Sequence, residues 1–177
     1  SATATDGTQT FSANTQQVRA YDPVPVLTIS GSSTTTEGST YVLSLSASDT
    51  GPAVITQWTI TWSDGTNETI NGDPNSASHV YADGTNNYTI SATATNATGT
   101  HPANNPTVTE NNVDAQLSIS GNNSVGEGET YTLNLSATDP GQDTITSWTI
   151  NWGDGVIETI NGDPASVTHV YAGGGQY

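Results

Sequence analysis

The chain has 177 residues, of which 32% are hydrophobic, and its 17 acidic residues against a single basic one, Arg19, give a net charge of −16. That balance repels polyanions, so nucleic acid and anionic membranes are excluded as partners and cations are the natural counterparts. Cysteine and lysine are absent, which removes disulfides, thiolate metal sites and Lys Schiff bases, and no run approaches the ~18 apolar residues of a membrane span.

The residues repeat at a fixed offset. Ser1-Ala2-Thr3-Ala4-Thr5 recurs at Ser91–Thr95, Leu27 as Leu117, Trp58 as Trp148, Trp62 as Trp152 and His79 as His169, each 90 positions on. The length therefore holds about two small domains of a tandem array. In the uninterrupted copy, Leu27 and Ile29 alternate before Gly31. Tyr41, Leu43, Leu45 and Ala47 then alternate with Val42, Ser44, Ser46 and Ser48, the period of a half-buried strand. Asp49-Thr50-Gly51-Pro52 ends that strand. Trp58, Ile60 and Trp62 share the next apolar face, and Ser63-Asp64-Gly65 turns the chain into Thr69-Ile70 as a hairpin. A loop at Asn71–Pro74, a short strand at His79-Val80-Tyr81 and a turn at Asp83–Asn86 follow. The longest strand is expected next, with Tyr88, Ile90, Ala92 and Ala94 inward, and a final strand carries Thr107-Val108-Thr109.

About seven short strands without helical periodicity point to an all-β, antiparallel sandwich of immunoglobulin-like type. The run Trp148-Thr149-Ile150-Asn151-Trp152-Gly153-Asp154-Gly155, followed by His169-Val170-Tyr171 and Gly175-Gln176-Tyr177, resembles the signature of PKD domains. The first copy departs from it at Ser63, which stands for Gly, and at Asn86-Asn87-Tyr88, which replaces Gly-x-Tyr. The repeat also resembles PKD-like arrays of large bacterial surface proteins in its elements Glu127-Gly128-Glu129-Thr130-Tyr131 and Asp139-Pro140-Gly141. The resemblance implies extracellular stalks, adhesins or accessory modules of secreted enzymes. It also implies a structural histidine packed beneath the tryptophan hairpin at His79 and His169.

No catalytic constellation emerges, so the chain is read as no enzyme. His79 and His169 are one position in two copies and cannot converge within one domain, and an active site seldom has to be copied in tandem. Asp64 and Asp154 fit hairpin turns, where a carboxylate accepts backbone N–H bonds. Glu37, Asp83, Asn112, Asp114, Asp139 and Asp143 are placed by the topology near the junction of the two copies, either as ordinary solvated carboxylates or as an interdomain calcium site, which needs about six to eight oxygen ligands. The preceding linker offers Asp22 but has Val24 where the second has Asp114. Sequons occur at Asn67, Asn87, Asn96, Asn122 and Asn134. Composition alone predicts about 4.6 such triplets, and Asn67, Asn122 and Asn134 align with Ile157, Ser32 and Ser44, so N-glycans stay open, as do O-glycans on outward rows such as Thr34-Thr35-Thr36. Thr89, Thr93 and Thr95 form either a solvated face or a polysaccharide surface. The four tryptophans read as core, because they alternate with polar residues.

Ser1 aligns with Ser91 and Tyr177 with Tyr88, so both fall at the same strand of the repeat. The expected organisation is residues 1–22 as C-terminal strands of a preceding repeat, 23–112 as a complete PKD-like domain, and 113–177 as a second domain lacking its last strands. A further stretch of the same sequence is expected to complete that second domain. The functional expectation is a repeat unit of an extracellular fibre or cell-surface adhesin stalk. Its partners are copies of itself, joined by chain continuation or strand complementation, with no membrane insertion. The alternative is a carbohydrate-binding accessory module of a secreted hydrolase.

Overall fold

The alternation of small polar and apolar residues produces strands that bury one side only. The computed structural model describes residues 1–177 and contains strands without helices. The first two, β1 (Thr3–Thr5) and β2 (Thr10–Ser12), form an isolated antiparallel hairpin whose side chains are all exposed. β3 (Val26–Ser30) then buries Leu27 and Ile29 while Val26, Thr28 and Ser30 face water. β4 (Thr34–Thr36) intervenes before β5 (Thr40–Ser48), which buries Tyr41, Leu43 and Leu45. β5 pairs antiparallel with β3, Leu27 opposite Ala47, and on its other side with β8 (Ser76–Val80), Leu43 opposite Ala77. Each register keeps the apolar set on one face.

The facing sheet has β6 (Gln57–Thr61) at its centre, flanked by β7 (Asn67–Asn71) and by β10 (Ser91–Asn96), which in turn pairs with β11 (Gly99–Pro102). Trp58 and Ile60 of β6 lie opposite Ile70 and Glu68 on one side and Ala94 and Ala92 on the other. The small alanines leave room for the indole, and Trp58, Trp62, Ile60, Ile90 and Val108 are all buried. This is the tryptophan core expected from the alternation.

Two expectations change. The strand from Tyr88 to Thr95 is not continuous: β9 (Asn86–Thr89) pairs with β12 (Thr107–Asn111), whereas β10 pairs with β6, and the chain changes sheet at the buried Ile90. Ile90 N donates to the Pro106 carbonyl at 2.9 Å, and Pro106, with no N–H to return, cannot prolong that ladder. The longest strand of the first domain is therefore β5, with nine residues. Thr34–Thr36 is not a free threonine row but β4, laid parallel to β12 with Thr35 half-buried; having no apolar residue, it carries no periodic signal.

The second copy repeats the first sheet with β13 (Gln116–Gly121), β14 (Thr130–Thr138) and β17 (Ser166–Val170), Leu117 again opposite an alanine, Ala137. Its tryptophan hairpin is β15 (Ser147–Asn151) with β16 (Ile157–Asn161). No strand of residues 113–177 pairs with the other edge of β15. The hairpin turns also differ: Ser63 adopts a left-handed φ of 73° where the second copy has Gly153 at 84°, a conformation that costs a non-glycine residue about 1 kcal/mol.

Candidate functional site

Three features carry chemistry. The first repeats in both copies. Asp64 sits in the β6–β7 turn and its Oδ1 accepts from Thr66 N at 2.9 Å and from the Thr66 hydroxyl at 2.5 Å, while its Oδ2 lies 2.7 Å from His79 Nε2. The imidazole stacks on Trp62 at 4.7 Å, and Tyr81 donates its hydroxyl to the Trp62 carbonyl at 3.2 Å. Asp154, His169, Trp152 and Tyr171 reproduce the arrangement, with the carboxylate–imidazole hydrogen bond at 2.8 Å and the stack at 4.6 Å. Each histidine is thus held by its own domain's turn and tryptophan, in the place the resemblance implied. The Asp–His pairing escaped the sequence reading, although the recurring spacing of 15 residues, 64 to 79 and 154 to 169, was visible.

Burial pushes the Asp64 carboxyl up, but the Thr66 hydroxyl and amide and the His79 ring outweigh it and hold Asp64 below the usual carboxylate range. For Asp154 the His169 bond comes first, then the Val156 amide, with the same direction. A lowered folded-state pKa gives stability that is complete above the unfolded value near pH 4 and is lost as pH falls through the folded value. Asp64→Asn is accordingly expected to cost about 1 kcal/mol at neutral pH and to flatten the acid limb of stability. Urea melts between pH 2 and 7 check this, and an unaltered limb in the variant would refute the assignment.

The second feature is the junction between the copies. Gly38 packs so closely on Pro140 that a Cβ would meet the Pro140 carbonyl at 2.3 Å, and a Cβ on Gly141 would meet the Glu37 carboxyl at 2.5 Å. Glu37 is only 1% exposed; its Oε1 accepts from Val113 N at 2.8 Å and its Oε2 from Gly84 N at 2.9 Å, tying the first domain to the start of the second. Carboxylate oxygens of Glu37, Asp83 and Asp143 lie within 4.8 Å of one another. The Asn112 amide joins them: with its NH2 turned toward the acids, it donates to Asp143 Oδ2 at 2.8 Å and to Glu37 Oε2 at 3.3 Å.

Four of the six expected junction residues therefore meet. Asp139 stays in its own loop, its Oδ1 accepting from Gly141 N at 2.7 Å, and lines a recess beside Asp143. Asp114 is exposed and offers its main-chain carbonyl to Gln116. The topology placed both near the junction, but local turn bonds hold one and the linker turns the other outward. Desolvation and then the charges of Asp83, Asp139 and Glu37 push the Asp143 pKa up, as expected where acids crowd with little compensation. Glu110, missed from sequence, is buried beside Gly84 with no well-formed hydrogen bond to either carboxylate oxygen, and burial pushes its pKa up against the weaker opposing pull of the Tyr88 and Asn86 side chains.

The third feature is an uncovered apolar face. Leu27 and Ile29 are 7% and 1% exposed, but their counterparts Leu117 and Ile119 are 60% and 65% exposed. They border an open groove with Leu133, Trp148, Ile150 and Trp152. The first domain assembles a core of 15 buried hydrophobic residues, the second only five, because nothing stands where β10 and β12 cover the first. Tyr177 alone follows the pattern, stacking on Tyr171 at 4.5 Å as Tyr88 does on Tyr81 at 4.4 Å.

The modification candidates divide. Asn67, Asn87, Asn122 and Asn134 are exposed. Asn96 is buried, its Oδ1 taken by the Thr98 amide and hydroxyl, so a glycan has no room there and this candidate is corrected. Thr89 faces water, but Thr93 and Thr95 are half-buried where β11 pairs with β10, so they do not form the open row expected. All four tryptophans are buried and offer no stacking platform for sugar.

Fold and repeat together define a tandem array of immunoglobulin-like β-sandwich modules. Residues 22–110 and 112–177 each match the PKD domain family, and the chain belongs to it. The chain is similar to the PKD domain of an M14-like peptidase from Thermoplasmatales archaeon SCGC AB-540-F20, with 22% identity and a TM-score of 0.42, covering 51% of this chain and 98% of that domain. The comparison with curated proteins gives no match. PKD domains are non-catalytic modules that typically occur in extracellular proteins. No helix of the chain is long and apolar enough to cross a membrane.

Proposed function

We propose that this chain is the repeating unit of an extracellular fibre or surface adhesin stalk, built head to tail by chain continuation or by strand complementation. The observation that carries the reading is the uncovered face of the second sandwich beside an exposed segment, residues 1–21, that repeats the sequence covering the same face of the first. The mechanism is mechanical: each completed sandwich buries its own core, a short junction pinned by Glu37 and Gly38 sets the angle between neighbours, and the acidic surface keeps the assembly dispersed. Negative-stain imaging of the purified protein under native conditions is expected to show unbranched fibres of sandwich width; uniformly dispersed monomers would overturn the reading.

A second reading concerns the junction. The convergence of Glu37, Asp83 and Asp143 oxygens suits a calcium ion that would stiffen the array, with the Asn112 amide then turning its Oδ1, instead of its NH2, toward the ion. Calcium is then expected to raise the melting temperature of the first domain and excess chelator to lower it. A melt that does not change between the two conditions would remove the ion.

A further inference from the structure

We infer that the free face of residues 113–177 is closed by residues 1–21 of a second copy of this sequence, in the register with which residues 91–111 close the first sandwich. The inference rests on the fibre reading and deepens it by fixing the register in which the segment docks.

The hairpin half of the donor already has the bound shape, while residues 17–21, the counterparts of β12, have yet to form their strand. β1 and β2 pair Thr3 with Ser12, Ala4 with Phe11 and Thr5 with Thr10; β10 and β11 pair Thr93 with Pro102, Ala94 with His101 and Thr95 with Thr100. The bond from Ala13 N to the Ala2 carbonyl, 2.9 Å, matches that from Ala103 N to the Ala92 carbonyl, also 2.9 Å. Even the turn is copied: Asp6 Oδ1 accepts from Thr8 N at 2.9 Å and the Thr8 hydroxyl at 2.7 Å, the distances Asn96 Oδ1 makes with Thr98. A hairpin held this way loses little conformational freedom on docking. Yet it covers nothing, and Val18 is 85% exposed where its counterpart Val108 is 0%.

The acceptor has the matching vacancy. Ala94 and Ala92 lie opposite Trp58 and Ile60, so Ala4 and Ala2 fall opposite Trp148 and Ile150 on the free edge of β15. Asn104 clamps the main chain of Ile29, its Oδ1 accepting from Ile29 N at 2.7 Å and its Nδ2 donating to the Ile29 carbonyl at 2.9 Å; Asn14 stands in the same place for Ile119. Val18 takes the position of Val108, which shares one buried core with Leu27 and Ile29. Such strand addition combines ladder bonds with side-chain burial.

The partner is a second copy rather than the same one. Asp22 lies against Gly51, the counterpart of Gly141, so residues 1–21 leave the first sandwich at the end opposite the one that holds the second. A donor at one end and an acceptor at the other give a heterologous contact, which propagates instead of closing. Gly128, the counterpart of Gly38, meets nothing. The copy-to-copy junction also differs from the internal one: Pro23 replaces Val113 and has no N–H for Glu127 to accept, and Ala20 replaces the buried Glu110.

The test adds a synthetic, dye-labelled peptide of residues 1–22 to the 177-residue protein at low protein concentration. Saturable binding is expected, with a rise of about 10 °C in the melting transition of the second domain. Peptides carrying Ala4→Asp or Val18→Asp are expected to bind at least about tenfold more weakly; because the changes sit in the peptide, folding of the protein is not in question. An unmodified peptide that leaves the transition unmoved, or variants that bind equally well, overturns the inference. Fibres seen by imaging while the peptide is inert leave the fibre reading standing and this inference refuted. A binding peptide with only dispersed particles reverses that outcome.

Discussion

Heated at low concentration, the 177-residue chain is expected to melt in two transitions, with residues 113–177 unfolding first. Leu27, Ile29, Tyr41, Leu43, Leu45 and Ala47 recur unchanged in the first sheet of the second copy, where only Ala77 becomes the larger Val167 among the inward residues, so the difference lies in what covers them. Leu117 and Ile119 are more than half exposed where Leu27 and Ile29 are buried, and full burial of each side chain is worth about 1.5–3 kcal/mol. Trp148 and Ile150 also lack the alanine strand that pairs with Trp58 and Ile60. A deficit of roughly 3–6 kcal/mol is a large part of the ~5–15 kcal/mol that stabilises a domain and separates the transitions by more than about 10 °C. Calorimetry measures this directly. A single cooperative transition would contradict it, and a lower transition that climbs with protein concentration would report association of copies.

Glu37→Ala is expected to lower the upper transition by more than about 10 °C and to loosen the two domains. Both oxygens of this buried carboxylate accept main-chain N–H groups, Gly84 on one side and Val113 on the other. Bonds to a charged group contribute about 1.5–3 kcal/mol each, and the stranded donors keep their desolvation penalty, for a total near 3–5 kcal/mol. Glu37→Gln retains one acceptor and is expected to cost about half as much. Calorimetry reads the stability and small-angle scattering the spread of interdomain angles. An upper transition that stays within about 2 °C of the unmodified protein would show that the junction is held elsewhere.

Much of this was legible from local pattern. Period-two alternation identified the inward faces of β3, β5 and β6, including the four tryptophans, because a strand's side chains alternate whatever lies across from it. It could not find β4, whose threonines carry no apolar signal and whose place depends on a parallel partner more than 70 residues away. Nor could it see the break at Ile90, where the inward pattern continues while the hydrogen-bonding partner changes from β12 to β6. Of the six junction residues, Glu37, Asp83, Asn112 and Asp143 meet, whereas Asp139 lies beside Asp143 with one carboxylate oxygen taken by the Gly141 amide of its own loop, and Asp114 is exposed on the linker.

The repeat, the all-β class and the identity of the core-facing residues are properties of the amino-acid sequence alone, since they follow from side-chain spacing along one strand. Whether a core-facing residue is covered depends on strands brought in from elsewhere. Leu27 and Leu117 occupy the same position in the same pattern, and only the tertiary structure, by placing β10 and β12 over one and nothing over the other, made the first a buried residue and left the second exposed.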